Sequence, residues 1–581
     1  MRVDGIRASQ EGPATYMVYS ILLLTPFVFP GFFPFDVNSI LACGGALVLA
    51  CLLLYRKPVI YMSRKLAFAV AAVALIQLAN LLLGNISAPG AWGLRALEYA
   101  SVLVMLTVGA SVSAASLRGW MHILFAVAVA WSVVGYFVWF GGTAGRPLTL
   151  GLIAMTQGSA AKLAGPFNQG NVFASVIGMA WIFAHWLYLR QGKWAYALAV
   201  FFFTTVLFDT LSRGGWIAYA MALLLMLYAM APSPKRIASR LLPLWLAGLA
   251  LGIGLNSIHV EAQAQAPGLL IIVAKTVEAT MAARLVIWAT AIVEFLHAPL
   301  TGVGWGQFAD AYWHSYAPAH AWVARHLGVH GFDNFFWSAH NLWLHVLAEG
   351  GLVAFGLLLW GTWKIMAKGL ALAANGHSLR LPFAMASLGF LIQALVNISF
   401  TRPLPLLLFA FFTGIAFAPW LRRDSWRIRR SDTTRYAATG VAMVVVAWAS
   451  HATTEWFAAA AWLKHFDLAS QQRVERVTHF AGERAGAIPL MWLGYNVSKE
   501  NTHVALLTWM VPYLRRDIHE FPYVDAYQVY FYALAASGKR AEACRVGTLI
   551  EKQRYPGETN ATIYRDVCMG RPMRGSYNFG H

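Results

Sequence analysis

Charge is scarce in this sequence: Asp, Glu, Lys and Arg make up 12% of its 581 residues, about half the share of an average soluble domain. Hydrophobic residues make up 59% and mean hydropathy is +0.56, so a soluble enzyme is excluded and the apolar surface must face lipid. Four cysteines staple little in so long a chain, which excludes a disulfide scaffold, and the long apolar runs exclude disorder. There is no CxxC or His/Cys set with zinc spacing, no HExxH, no DxD carboxylate pair, no Walker loop and no GxGxxG after a strand. Metal and nucleotide chemistry therefore have no sequence signature.

Acidic residues are the scarcer charge. The 44 Lys and Arg against 25 Asp and Glu give +19, and their placement argues for membrane topology over nucleic acid. Thirteen apolar spans are predicted near 15–33, 38–55, 66–84, 94–112, 120–140, 170–189, 194–209, 214–231, 241–258, 343–363, 381–400, 404–420 and 437–457. On one side of this weave the cations cluster, as in Arg56, Lys57, Arg64 and Lys65, or Arg422, Arg423, Arg427, Arg429, Arg430 and Arg435. The short loops opposite hold only Arg95, Arg146, Lys162, Arg213 and Arg402. The positive-inside rule places the first side, with the N-terminus, in the cytoplasm and the C-terminus outside. The first run carries Pro26, Pro30 and Pro34, lacks a small-residue cleavage site and is followed at once by another span, so it reads as span one and not as a cleaved leader.

Two regions exceed turn length. In the first, about 259–342, the apolar stretch Leu269 to Leu296 carries Lys275, Glu278, Arg284 and Glu294. At about 2.5–3.5 kcal/mol for each charge at a helix centre, it is expected to lie at the interface or pack on protein. If it crossed the membrane, the Arg422–Arg435 cluster would fall outside. The second, 458–581, is polar and predicts a small helical extracytoplasmic domain, separate from a membrane domain over 1–457. Its Val529 to Ala543 stretch reads as helix, Gly turn and second helix start, like half of a tetratricopeptide hairpin. Cys544 and Cys568 lie there, where an oxidising compartment would allow a disulfide, with pairing and free thiols both open. Cys43 and Cys51 read as apolar filler.

Unusual polar residues gather on the outer side. Gly165-Pro166-Phe167-Asn168-Gln169-Gly170-Asn171 opens span six. Free N–H groups there favour anions, although an Asn N-cap after a turn explains the segment more simply. Arg213, in Leu211-Ser212-Arg213-Gly214-Gly215, suits a phosphate or snorkels to headgroups. Arg284 has Trp288 one turn on, followed by Pro299 to Phe308, whose alternating Gly302, Gly304 and Gly306 let backbone approach another group closely. Ser338-Ala339-His340-Asn341-Leu342-Trp343-Leu344-His345-Val346-Leu347-Ala348-Glu349-Gly350-Gly351 puts an imidazole and an amide at a helix entry, with Glu349 available to a buried network. The neighbouring histidines (His314, His320, His326, His330, His345) match no metal motif.

Taken in order, GPFNQGN, LSRGG, RLVIW with PLTGVGWGQF, and SAHNLWLHVLAEGGL, over roughly 165–365, resemble the O-antigen ligase and polymerase superfamily of the bacterial inner membrane. The resemblance implies an all-α polytopic, GT-C-like fold and an inverting, metal-independent glycosyltransferase without cofactor, moving a glycan en bloc from undecaprenyl diphosphate. It implies that Arg213 and Arg284 bind the diphosphate and that His340 is catalytic. Asn168, Gln169 and Asn171 would contact substrate in a first-loop motif, together with Asn341 and Glu349. Gly170 stands where that motif has Pro. The C-terminal region and Trp92 to Tyr99 look most like the PglL-type protein O-oligosaccharyltransferases, whose acceptors are Ser or Thr of exported proteins such as pilins. Lipid-A-core ligase and O-antigen polymerase share the chemistry and remain alternatives. A transporter would place its charges nearer mid-membrane and show two similar halves; a non-catalytic scaffold would use the tail alone.

Overall fold

The computed structural model describes residues 43–570 apart from 52–58, 142–147, 151–152, 156–161, 231–233, 263–268, 330–337, 375–377, 448–507, 519–523, 553–560 and a few isolated positions, Asn168 among them. A strand β1 (Val59–Ser63) leads into helices α1 (Arg64–Leu82), α2 (Pro89–Ser111) and α3 (Leu117–Gly141). A small ribbon follows, β2 (Leu148–Leu150) with β3 (Ile153–Met155). Then come α4 (Gly170–Gln191), α5 (Trp194–Asp209), α6 (Arg213–Met230), α7 (Pro234–Ala262), α8 (Leu269–His297), α9 (Phe308–Leu327), α10 (Leu342–Ala373), α11 (Leu381–Gln393) and α12 (Pro403–Leu421). Strand β4 (Ser425–Arg429) and tail helices α13 (Val524–Ala536), α14 (Arg540–Lys552) and α15 (Ala561–Cys568) complete the described elements.

Among the described residues, eight helices are long and apolar enough to cross a membrane: α1, α2, α3, α4, α6, α7, α10 and α12. Two shorter apolar helices, α5 and α11, join them. Ten of the thirteen expected spans thus fall on described helices; 15–33 lies outside the described residues, and 38–55 and 437–457 lie largely outside them.

Three expectations need correction. The span expected at 381–400 stops being helical after Gln393, whose Oε1 accepts from Ser175 Oγ (2.8 Å); Ser175 Oγ also lies 2.6 Å from Ser399 Oγ, beyond the helix end. The span expected at 343–363 is part of the longer α10, and that helix is broken at Gly351 (φ 63°, ψ −167°). Between spans nine and ten, α8 was expected and α9 was not.

The chain divides into two compact units. One comprises Met1–Ala71, Leu97–Lys275 and Leu357–Ala447; the other comprises Ala72–Ala96, Thr276–Gly356 and Trp448–His581. In the first, α4 is buried along nearly its whole length and packs on α6, α11 and α12. Tyr219 is gripped between Gly178 and Gly389, where any Cβ would overlap its ring, and its hydroxyl donates to the Ser175 carbonyl (2.8 Å). Gly109 and Gly414 let α2 and α12 cross backbone against backbone, as small residues do where helices pack in lipid.

The ends of this unit are tied by an antiparallel ribbon, β1 with β4, running from Val59↔Arg429 to Ser63↔Ser425. Arg64 and Lys65 pair with Asp424 (3.4 and 3.7 Å). The Arg422 guanidinium lies over the Tyr61 ring and donates to the Ala110 and Val112 carbonyls (2.6 and 2.9 Å), capping the end of α2.

The second unit has one apolar core drawn from α8, α9, the start of α10 and the tail, with Val286, Tyr312, Tyr316, Ala339, Leu514, Tyr530 and Tyr564 all buried in it. The tail forms the expected hairpin: α13 turns at Gly538 (φ 72°) into α14. Cys544 and Cys568 are disulfide-bonded, joining α14 to α15. Beside the bridge, Arg540 donates to the Val567 and Cys568 carbonyls (2.8 and 2.6 Å). Cys43 and Cys51 are buried.

Candidate functional site

In the first unit the sequence motifs at 165–171 and 211–215 meet. Gly165 (φ 56°) opens a short 3-10 turn, and Gln169, in extended conformation, precedes α4 without a side-chain cap. The Asn N-cap considered from sequence falls on Asn168, which lies outside the described residues. Asn171 is half-buried, and its carbonyl accepts from Gln393 Nε2 (2.9 Å) and Ser399 Oγ (3.3 Å). The Gln169 side-chain oxygen is buried, with no donor on it among the described residues. A Cβ at Gly170 would stand 2.6 Å from the Thr210 carbonyl oxygen, so the Pro expected in this motif would not fit.

The turn carrying Arg213 is held from three sides. Asp209, fully buried at the end of α5, accepts from the Tyr136 hydroxyl of α3 and from Asn256 Nδ2 of α7 (2.6 Å). Its carbonyl takes the Leu163 N–H (2.9 Å). Leu211 then adopts a left-handed conformation (φ 49°), which a branched side chain rarely takes, and Ser212 Oγ accepts from the Gly215 N–H (3.3 Å). Arg213 emerges as the first residue of α6, half-exposed. Among the described residues no hydrogen bond or ion pair holds its guanidinium, which suits a group kept for an anion.

Arg284 and His340 belong to the second unit. His340 has a left-handed backbone (φ 50°) and follows the buried Ser338 and Ala339. Asn341 Oδ1 accepts from the Trp343 and Leu344 N–H groups (2.9 and 3.2 Å), an N-cap that starts α10 just after the imidazole. Burial pushes the His340 imidazole down to about 3, and the nearby Arg284 and His345 push in the same direction. A ring so placed is neutral at physiological pH and suited to orienting a hydroxyl by hydrogen bonding; the same burial and nearby cations disfavour its protonated form.

Nine residues on, Glu349 is buried and turned into the protein. Oε1 accepts from the Phe308 N–H (3.2 Å), while Oε2 lies 3.9 Å from Arg95 Nε and 3.5 Å from His345 Nε2. On α8, Glu294 is fully buried, and among the described residues neither carboxylate oxygen is hydrogen-bonded. Burial raises it well above the ordinary carboxylate range, and Glu349 and Asp310 add to the rise. Asp310 is raised by burial too, opposed by its bond from the Ser87 hydroxyl. Among the described residues no three His, Cys, Asp or Glu side chains converge in a way that could hold a metal ion.

The structure therefore groups Gln169, Asn171 and Arg213 in one unit and Arg284, His340, Asn341 and Glu349 in the other. Sequence reasoning passed over Arg95, counted only as a loop charge, and His345, counted only among the histidines. The signals were present: His345 and Glu349 stand four apart on one helix face.

Residues 198–359 match the family model Wzy_C, described as O-antigen ligase. No curated protein matches the chain. The matched segment contains Arg213, Arg284, His340 and Glu349, and it supports the ligase and polymerase superfamily and an enzyme of glycan transfer in general.

Proposed function

We propose that this chain transfers a glycan en bloc from undecaprenyl diphosphate to Ser or Thr hydroxyls of exported, pilin-like proteins at the outer face of the bacterial inner membrane. The observation that carries the reading is that the segment matching the O-antigen ligase family contains both His340 and Arg284, close enough for the guanidinium's charge to act on the imidazole. In the proposed step the acceptor oxygen attacks the anomeric carbon from the face opposite the diphosphate and forms the new glycosidic bond. The bond from that carbon to the phosphate oxygen breaks with its electron pair, and the hydroxyl proton passes to His340. Arg213 and Arg284 stabilise the charge that gathers on the leaving diphosphate, the place where fixed cations lower a barrier most. The first-loop amides Asn168, Gln169 and Asn171 are assigned to donor contact, and the two guanidiniums to the charge-stabilising part that a divalent cation could otherwise play.

Two features support the proposed topology. Because β1 and β4 are hydrogen-bonded, an even number of membrane crossings separates them. The ten apolar helices between the strands satisfy this; a further crossing by α8 alone would not. The Cys544–Cys568 disulfide suits an oxidising compartment and favours an outward-facing tail. That tail also favours protein as acceptor over lipid-A core.

The test is a purified reaction with undecaprenyl-diphosphate-linked glycan and a pilin-like acceptor, read by mass spectrometry of Ser and Thr. Glycoprotein supports the proposal. Modified lipid-A core in its place makes the chain a ligase, longer lipid-linked chains a polymerase, and no transfer with solute uptake a transporter.

A further inference from the structure

The break in α10 is filled by another stretch of chain. Where a continuous helix would bond the Ala348 and Glu349 carbonyls to its own next turn, they accept instead from the Val303 and Gly304 N–H groups (2.9 and 3.1 Å), and the Leu352 N–H turns to the Pro299 carbonyl (2.9 Å). Gly302 and Gly351 make this passage possible: both have positive φ, and a Cβ on either would overlap the other segment's backbone. Non-helical backbone in an apolar helix survives only where protein satisfies it. The inserted segment is bound on its far side as well. Gln77 of α1 donates to the Thr301 carbonyl (2.8 Å) and accepts from the Trp305 N–H (3.0 Å), and Ser87 Oγ donates to Gln307 (3.0 Å).

One charge pair sits at the centre of this knot. Glu349 receives the Phe308 N–H at the start of α9 and faces Arg95 of α2, and the two side chains are about 2% and 9% exposed. The half-helix that ends at Glu349 begins at Asn341, directly after His340. His345 lies between them in the sequence, 3.5 Å from Glu349.

We propose that Arg95 and Glu349 are positioning residues for glycan transfer: their buried pair locks residues 298–308 into the break of α10 and so sets where His340 stands. In this role Glu349 touches no glycan, in place of the direct substrate contact expected from sequence. The inference rests on the transfer reading for its kinetics and on the geometry alone for its structural consequence. Breaking a buried pair by removing one partner costs more than replacing both together, and a displacement of about 1 Å at a catalytic group costs on the order of 100-fold in rate.

The experiment compares the full-length wild type with E349Q, which keeps an acceptor for the Phe308 N–H, with R95M, and with the double variant in lipid nanodiscs. Expected are a fall in kcat of roughly 10- to 100-fold in each single variant, KM for undecaprenyl-diphosphate-linked glycan within about 2-fold, and a double variant no worse than either single one. Amide hydrogen exchange over 339–352 should be faster in E349Q and R95M. Losses that multiply, a rise in KM with kcat unchanged, or unaltered exchange in both single variants would overturn the proposal. A wild type inert toward donor and acceptor would overturn the transfer reading instead and leave the exchange result standing.

Discussion

The two units bury polarity in opposite ways. In the first, side chains such as Ser175, Gln393 and Asp209 meet partners on adjoining helices while the helices stay regular. In the second, a helix is broken, a glycine-rich segment enters the gap, and two acids, a guanidinium and an imidazole are enclosed around it. Regular helices stabilise a scaffold in lipid; the broken one exposes backbone groups that can be aimed and held. The matched family segment includes parts of both units, with Arg213 in one and Arg284 and His340 in the other.

The sharpest way to test this contrast is at His340. Replacing it with Ala should lower transfer by about 100- to 10,000-fold, the usual worth of a general base, with protein abundance unchanged on an immunoblot; R213A and R284A should fall in the same class. Burial pushes the His340 imidazole down to about 3, which leaves it deprotonated above that pH. The plot of kcat/KM against pH should therefore show no acid limb from this group between pH 5 and 8. An ordinary histidine would lose rate as pH fell through 6.5.

Next in size is G351V. It places a branched residue at φ 63° and drives a side chain into the Leu300 carbonyl, so it should cost more than the roughly 1–3 kcal/mol of a strained backbone. G356A, on the same helix with nothing within 4 Å, should leave the melting temperature unchanged or slightly raised. Equal behaviour of the two would erase the distinction between broken and regular helix. Replacing Cys544 and Cys568 together by Ser should destabilise the tail by about 2–4 kcal/mol, read as faster exchange in α14 and α15 with the first unit unaffected. Y136F, which removes one hydrogen bond to Asp209 in the regular unit, should cost about 1 kcal/mol and shift the melting temperature least.

Much of the first unit was legible because hydropathy reports helices that face lipid. The α4, α6 and α12 spans follow from their apolar length; in the second unit, the close approach of backbone at Gly302 follows from alternating glycines. The second unit hid itself. Helix α9 carries Asp310, His314, Arg325 and His326, which lower its hydropathy, although Tyr312, Tyr316, Ala319 and Val323 recur at helical spacing on its buried face. The break at Gly351 has no local signature beyond a second glycine, since it depends on what enters it: Val303 and Gly304, far away in sequence. Arg95 was misread for the same reason. A charge in a loop count has no partner until folding supplies Glu349.

The ribbon of β1 and β4 sets an order on biogenesis. Strand β1 leaves the ribosome long before its mate, and Arg422 reaches back across 312 residues to Ala110. Until α12 has been inserted, the early strand waits at the membrane with its edge open. A nascent chain released before Ser425 would keep every apolar helix named from α1 to α12 yet lack the clasp, giving quality-control proteases a way to tell an unfinished protein from a finished one.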